Sequence, residues 1–275
     1  MAGYKELSDR LAAWRGTMGA FSRALDREGT PYLSLSKVVS VEFCSNRYLL
    51  EYVQRRRLRP PPDYFVNGQA FHETAARMYR GLARGKPPDE ADLLDFLARR
   101  VKHPTVELQN AVRLAAQNAY EGWEIVGVEE PFVLSLGRTL PPCLGIADLI
   151  LRRGSTFAVV DHKTGKRFNG ADELQFVLYR EYVRRRYKAR RCVTIVDEYR
   201  WVNDLTKIRK PAFQREHVRL ARNAWREAVC RMTDAWNEIQ EIEKYHEAAA
   251  SDECFRCPYK EICPQASTGY SSWWW

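Results

Sequence analysis

The 275-residue sequence contains no apolar run approaching the ~18–20 residues that a membrane span needs. Its first stretch, "MAGYKELSDRLAAWRG", mixes both charge signs and lacks the apolar centre of a secretion signal. An intracellular, cytoplasmic protein without a membrane partner is therefore expected. There is no internal repeat and no low-complexity segment, which argues against solenoid and linker-like architectures. Cysteines number seven, an odd count in a long chain, so a disulfide framework is not expected. Acidic charge is the scarcer sign, 35 Asp+Glu against 44 Lys+Arg, a net charge of +9. With 45% hydrophobic and 29% charged residues, the composition is globular rather than disordered. The length suits one large domain with appendages.

Basic charge is clustered as well as abundant. "RRRLR" covers residues 55–59, and "REYVRRRYKARR" covers 180–191 with seven basic residues against one Glu. Such clusters favour polyanions, because neutralised phosphates release condensed counterions, unless they are simply solvated helix faces.

The first half of the chain reads as mostly helical. Helices are predicted over 5–28, through "SKVVSVEFCSNRYLLEYV" with Ser36 or Ser40 as cap, over 67–85, after the prolines of "KPPDEADLLDFLARRV", and over 105–122. The helix carrying Cys44 is predicted to stop at "RRRLRPPPD", where three prolines break it. From Trp123 the pattern becomes extended. "WEIVGVEEPFVLSL" is strand-like, and "CLGIADLILRRGSTFAVVDHKTGK" holds two apolar runs joined by "RRGS", a hairpin signal. "ADELQFVLYREYVRRRY" is an amphipathic helix, "CVTIVDEYRWV" a strand, and 212–247 a long charged helix. The expected organisation is a helical part over 1–122, a core over 123–211 and a C-terminal helix with a cysteine segment over 212–275. The "SSWWW" ending is expected to be a tail.

The hairpin carries the chemistry. Asp148 interrupts the apolar strand "LGIADLIL", and Asp161 and Lys163 end the strand "FAVVDHKTG". A carboxylate among strand-forming apolar residues is costly unless paired or bound to a cation. Pairing the strands brings Asp148 and Asp161 together, and a divalent ion relieves their repulsion. Strand alternation places Asp161 and Lys163 on one face, with His162 on the other. The lysine can then hold a water or offset charge on a phosphate.

This arrangement resembles the PD-(D/E)XK nuclease superfamily, and "VVDHKTGK" is similar to its RecB-type branch. Two further matches support the resemblance: "GQAFHE" offers His72 as the branch's upstream histidine, and "ELQFVLY" supplies the Q-x-x-x-Y motif as Gln175 and Tyr179. The fold implied is α/β (α+β), a restriction-endonuclease-like mixed sheet flanked by helices. The resemblance implies Asp148, Asp161 and Lys163 as catalytic residues. It implies Mg²⁺ or Mn²⁺ held by His72, Asp148, Asp161 and the backbone carbonyl of His162. It implies DNA contacts from Gln175 and Tyr179, to which Arg186 is added because it lies near the same stripe. The activity implied is exonuclease cleavage of single-stranded DNA or DNA ends. The setting is CRISPR spacer acquisition with integrase proteins as partners, or a phage or repair role. A non-catalytic nucleic-acid-binding protein with a structural zinc is the rival class. Oligomerisation is compatible with either.

"CFRCPYKEICP" packs Cys254, Cys257 and Cys263 into ten residues. That is three ligands where a metal site wants four. Cys44, Cys143, Cys192, Cys230 and His246 are the candidates for the fourth. The "CSNRYLLEY" context of Cys44 resembles the first cysteine of iron–sulfur RecB-type nucleases, which include the CRISPR-associated Cas-four nucleases and AddB-type domains. The resemblance implies a structural 4Fe–4S cluster on Cys44, Cys254, Cys257 and Cys263. Ser45 departs from the proline common at that point in the family.

Overall fold

The computed structural model describes residues 3–56, 58, 60–170, 172–207, 209–249, 251, 254 and 257–266. Arg57 and Arg59 of the first basic run, Asp252, Glu253, Phe255 and Arg256 around Cys254, and the "SSWWW" ending lie outside the described residues.

The elements run α1 (Tyr4–Ala13), α2 (Met18–Glu28), β1 (Leu33–Ser34), α3 (Leu35–Phe43) and α4 (Ser45–Tyr48), which continues in a π-helical turn over Leu49–Val53. Then come α5 (Asp63–Ala83), α6 (Glu90–Arg100), α7 (Val106–Gln117), β2 (Glu124–Leu134), β3 (Cys143–Arg153) and β4 (Thr156–Gly165). The order closes with α8 (Glu173–Arg186), β5 (Arg191–Arg200), β6 (Phe213–His217) and α9 (Ala224–Tyr245). The strands form a mixed sheet in the order β1-β3-β4-β5-β6, with β2 also paired to β3. The expected mixed α/β class with a helix-flanked sheet is what the chain adopts.

Local chemistry explains most boundaries. Side chains of Thr17, Asp89 and Thr105 accept backbone N–H groups at the starts of α2, α6 and α7. Gly29, at φ +65°, closes α2 in the left-handed conformation. Three expectations need correction. The helix over 5–28 is two helices, because the chain turns extended at Trp14 and restarts at Thr17. The cap of α3 is Ser34, whose Oγ accepts from the Lys37 amide, rather than Ser36 or Ser40. The stretch 212–247 is not one helix: Phe213–His217 pairs antiparallel with β5, and α9 begins only at Ala224. The edge of β5 offers those residues a hydrogen-bonding ladder, which outweighs their helical patterning.

The chain divides into two compact units. The first comprises Met1–Pro61, Val133–Gly145 and Arg226–Trp275; the second comprises Pro62–Phe132 and Ile146–Trp225. In the first, Leu7, Phe21, Leu25, Tyr32, Val133 and Leu144 make one apolar cluster, and Leu50, Cys257 and Tyr259 make another with Phe43, Leu58 and Cys263 against them.

The second unit holds the larger core. Phe71, Tyr79, Leu97 and Leu108 from the helices pack on Leu149, Val160, Ile195 and Tyr199 from the strands. Strands β3 and β4 pair antiparallel from Leu149↔Val160 to Arg153↔Thr156. Their turn is the two residues Gly154 and Ser155, with Gly154 at φ +60° as a primed hairpin turn requires. Strands β4 and β5 run parallel, with Asp161↔Val196 and Lys163↔Glu198 in register. One residue beyond the last β3–β4 pair, the same register faces Asp148 toward Asp161.

Candidate active site

Alternation along β4 sorts its side chains. His162 points into the core, where its ring stacks on Tyr79 at 5.6 Å and lies near Phe71 and Tyr199. Tyr199 Oη stands 3.3 Å from its Nδ1, and Nε2 has no partner. Burial, reinforced by the charges of His72, Arg215 and Lys163, pushes the His162 imidazole down to about 3, so it is neutral. Asp161 and Lys163 point to the opposite face, as the alternation predicts.

There Asp161 is almost wholly enclosed, 1% exposed. Its Oδ1 accepts the Gln175 side-chain amide at 2.8 Å. Lys163 Nζ stands 2.9 Å from Oδ2 as an ion pair but off the direction of a hydrogen bond, so this buried oxygen accepts none. Lys163 Nζ instead donates to Gln175 Oε1 at 3.0 Å. Gln175 also donates to Tyr179 Oη at 2.8 Å, one helical turn along α8. Asp148 Oδ2 accepts the His162 backbone N–H at 2.9 Å, which ties the two strands together at the site.

His72, on α5, brings Nδ1 to 3.3 Å from Asp148 Oδ2 and 3.8 Å from Glu129 Oε1. The ligand atoms of His72, Glu129 and Asp148 all lie within 4.8 Å of one another. Glu129 was not anticipated from the sequence. It sits in β2 at φ +49°, a left-handed conformation uncommon for a residue with a side chain. The only sequence trace of it is the acid pair in "VEEPF", inside an extended apolar run.

The electrostatics are those of a carboxylate-rich centre in which Lys163 and His72 offset only part of the negative charge. Desolvation and the charge of Asp148 push Asp161 up to about 6, against the pull of Lys163 and His72. Asp148 is also raised, first by burial, and then by Glu129. Burial disfavours protonated His72, yet Asp148 and Glu129 more than reverse this and hold it up at about 9. Hard oxygen donors, one imidazole and a buried carboxylate oxygen whose hydrogen bonds are unfilled fit a divalent ion of the Mg²⁺ or Mn²⁺ type.

Behind the lysine, Glu198 holds the outgoing chain. It stands across from Lys163 on β5, and its Oε1 accepts the backbone N–H groups of Asn169 at 2.6 Å and Gly170 at 3.0 Å. Gln175 and Tyr179 are buried and spend their polar atoms within the site. Arg186 is exposed in the last turn of α8, eleven residues on from Gln175, about 16 Å of helical rise away, so it does not join the carboxylates.

The cysteines gather in the first unit. Cys44 is not inside a helix, as expected, but in an extended break between α3 and α4, at φ −171°. Burial raises the Cys257 thiol, and nearby Cys44 and Cys263 raise it further, so these three sulfurs share one neighbourhood. Cys257 donates its backbone N–H to the Cys254 carbonyl, placing those two in one turn. Asn46 donates its side-chain N–H to Cys263 Sγ at 3.0 Å. Cys44, Cys257 and Cys263 are thus three soft donors near one another, one already receiving an N–H···S bond, a set that suits a soft metal centre. The other candidates lie elsewhere: Cys143 is buried in β3, Cys192 begins β5, Cys230 is exposed on α9, and His246 is exposed just past its end.

Among proteins of known family, residues 32–264 match the family model for the PD-(D/E)XK nuclease superfamily. The chain belongs to that superfamily. The match takes in both the hairpin carboxylates and the cysteine segment, so all site residues described above lie within it. No curated protein matches the sequence. Among solved structures, that of a "Putative exonuclease" from Eubacterium rectale is similar over 93% of this chain and 94% of its own, with 11% identity and a TM-score of 0.53. At that identity the likeness is one of fold. The structure of SSO0001 aligns over 80% of this chain and 94% of its own, at 17% identity and a TM-score of 0.33, too low to inform the reading. As a superfamily member the chain is a nuclease, whose substrate class is nucleic acid. Among the described residues, no helix is long and apolar enough to cross a membrane.

Proposed function

We propose that the protein is a metal-dependent DNA exonuclease that hydrolyses phosphodiester bonds on single strands or DNA ends. The observation that carries the reading is the convergence of Asp148, Asp161, Lys163 and His72 on one face of the β3–β4 hairpin. Mg²⁺ or Mn²⁺ bound there would neutralise the carboxylates, lower the pKa of a water and polarise the scissile phosphate. His72, Asp148, Asp161 and the His162 carbonyl are the proposed ligands, with Glu129 added by its position beside His72. Lys163 is the group that orients the attacking water and offsets charge on the phosphate. Gln175 holds that lysine in place, gripping it and Asp161 through one amide. The name of the Eubacterium rectale protein is consistent with exonuclease rather than endonuclease action.

The cysteines are proposed to hold a structural 4Fe–4S cluster on Cys44, Cys254, Cys257 and Cys263, joining segments 210 positions apart. Trimming of DNA ends for CRISPR spacer acquisition, with integrase partners, is the setting that the iron–sulfur resemblance supports.

The deciding experiment compares purified protein with its Lys163→Ala variant on end-labelled single strands with Mn²⁺. Cleavage should fall by at least ~10²-fold, the usual scale for losing a positioned charge at a reacting centre. Undiminished cleavage by the variant would remove Lys163 from the mechanism. Covalently closed circles should resist the wild-type protein.

A further inference from the structure

One face of α5 is a stripe of arginine that the catalytic centre does not use. Glu73, Arg77, Arg80 and Arg84 recur at helical spacing there and line a cavity of about 430 Å³ with Lys86 from the following loop and Arg100 from α6. Five cations thus face one carboxylate. Glu73 is engaged by Arg100 at 2.8 Å. Arg77, Arg80, Arg84 and Lys86 have no acidic partner among the described residues. The guanidiniums of Arg77 and Arg100 lie 5.1 and 4.7 Å from the Phe96 ring, which gives both a planar support. Arg84 is steadied by the Arg80 carbonyl at 2.9 Å, and Arg80 reaches the Val128 carbonyl at 3.4 Å. Like charges gathered and braced this way, with their own anions missing, are prepared for an anion from outside.

The far wall is built with equal care. Any Cβ on Gly81 would stand 2.6 Å from Pro88 Cδ and 2.8 Å from the Lys86 carbonyl oxygen. The loop after α5 therefore packs directly on the helix backbone, and the Lys86 amide donates to the Gly81 carbonyl at 2.9 Å. Glycine at 81 is what lets Lys86 close the cavity.

We infer that this groove holds the phosphodiester backbone of the nucleic-acid strand several nucleotides from the bond being cut. The inference rests on the nuclease reading and deepens it. His72 stands on the same helix, and Arg80 and Arg84 lie about 12 and 18 Å of axial rise beyond it. That distance corresponds to about four or five nucleotides of stacked strand. Arginine suits the task because its fork pairs with phosphate oxygens in two bonds. A repeating anion fits a linear stripe better than a single small phosphate does.

The test measures binding of single-stranded oligonucleotides of 4 and 20 residues by fluorescence anisotropy, with Ca²⁺ replacing Mn²⁺ to prevent cleavage, across a salt series. Arg80→Gln/Arg84→Gln should weaken the 20-mer at least tenfold at 0.15 M salt. It should also lower the salt slope by about 1.4, at ~0.7 per lost phosphate contact on a single strand. The 4-mer, too short to reach the groove from the cleavage centre, should lose far less. Arg80→Lys/Arg84→Lys should restore the slope, and Gly81→Ala should weaken the 20-mer without removing a charge. An unaltered 20-mer affinity and slope in the Gln variant, or equal losses for both lengths, would overturn the groove. Inorganic phosphate displacing the 20-mer in the low millimolar range would also overturn it, in favour of a discrete phosphate site. Failure of the nuclease reading would look different: no Mn²⁺-dependent cleavage by wild-type protein, whatever the oligonucleotide affinities.

Discussion

Gln175 carries both an expectation from its motif and a set of observed bonds. By motif it belongs to a DNA-contacting pair. In the structure it is buried and its amide makes three internal bonds, to Asp161, Lys163 and Tyr179. Consider Gln175→Leu, which keeps the volume and removes every polar atom. Two of the lost bonds involve charged groups, each worth about 1.5–3 kcal/mol when buried. Lys163 is 39% exposed, so its share is discounted for solvent. A stability loss of about 2–3 kcal/mol is the reasonable total. The kinetic effect should be larger in proportion. Without Gln175 the ammonium is held only by Asp161, and misplacement of a catalytic group by ~1 Å costs about 10² in rate. Single-turnover cleavage of an end-labelled strand in Mn²⁺ should therefore slow about a hundredfold. Anisotropy with Ca²⁺ should show DNA affinity within about threefold of wild type. A tenfold or greater loss of affinity with the single-turnover rate intact would refute the positioning role and return Gln175 to the DNA surface.

Metal binding should release protons. His72 is held up at about 9 in the metal-free protein, so at pH 7.5 it carries a proton that a metal ligand cannot keep. Calorimetric Mn²⁺ titrations in buffers of different ionisation enthalpy should report about one proton released, and Mn²⁺ affinity should climb with pH up to about 9; no release would exclude His72 as a ligand. Glu129→Gln should weaken Mn²⁺ affinity about tenfold in the same titration, and an unchanged affinity would exclude Glu129. His162, pushed down to about 3 when folded against an ordinary value of 6.5, takes up its proton more readily unfolded. Its stabilising contribution is therefore complete above pH 6.5 and drains away as pH falls toward 3, by up to a few kcal/mol. His162→Phe should flatten that acid limb in metal-free thermal melts, and a limb as steep as wild type would refute the assignment. Anaerobically purified protein should bind about four irons and absorb broadly near ~400 nm. Cys44→Ala should lose both signals while Cys230→Ala retains them, and one zinc per chain in colourless protein would end the cluster proposal.

What could be read from the sequence was whatever depends on short-range periodicity. Asp161 and Lys163 share a face because a strand alternates, and no tertiary knowledge is needed to say so. Gln175 and Tyr179 share a face because four residues make about one helical turn. Which face α8 buries is another matter. It depends on how the helix lies on β4 and β5, and that packing gives Gln175 three internal bonds that the motif alone does not foretell. Glu129 was hidden for a related reason. Its carboxylate reaches His72 from a left-handed backbone position in β2 that no composition signal marks. The strand at Phe213–His217 escaped because its five residues, FQREH, carry no strand pattern of their own, and the Asp197–Arg215 pairing at 2.8 Å is visible only once they are aligned with β5.

The division of labour along β4 explains why the site tolerates its own cost. Val160 and His162 anchor the strand in the core with Tyr79 and Tyr199, while Asp161 and Lys163 look the other way. Three acids and a raised histidine are unfavourable company without a cation, since each buried carboxylate pays for its own desolvation and for its neighbours. A strand anchored only by backbone pairing would relieve that strain by shifting. Here a shift of one residue would carry His162 out of its aromatic cage and bring Asp161 into it. The residue between the two proposed catalytic positions, though it faces away from them, therefore locks their register. The Asp148 bond to its backbone N–H extends the lock to the neighbouring strand. Preorganisation of the carboxylates is in this sense a property of the core beneath them.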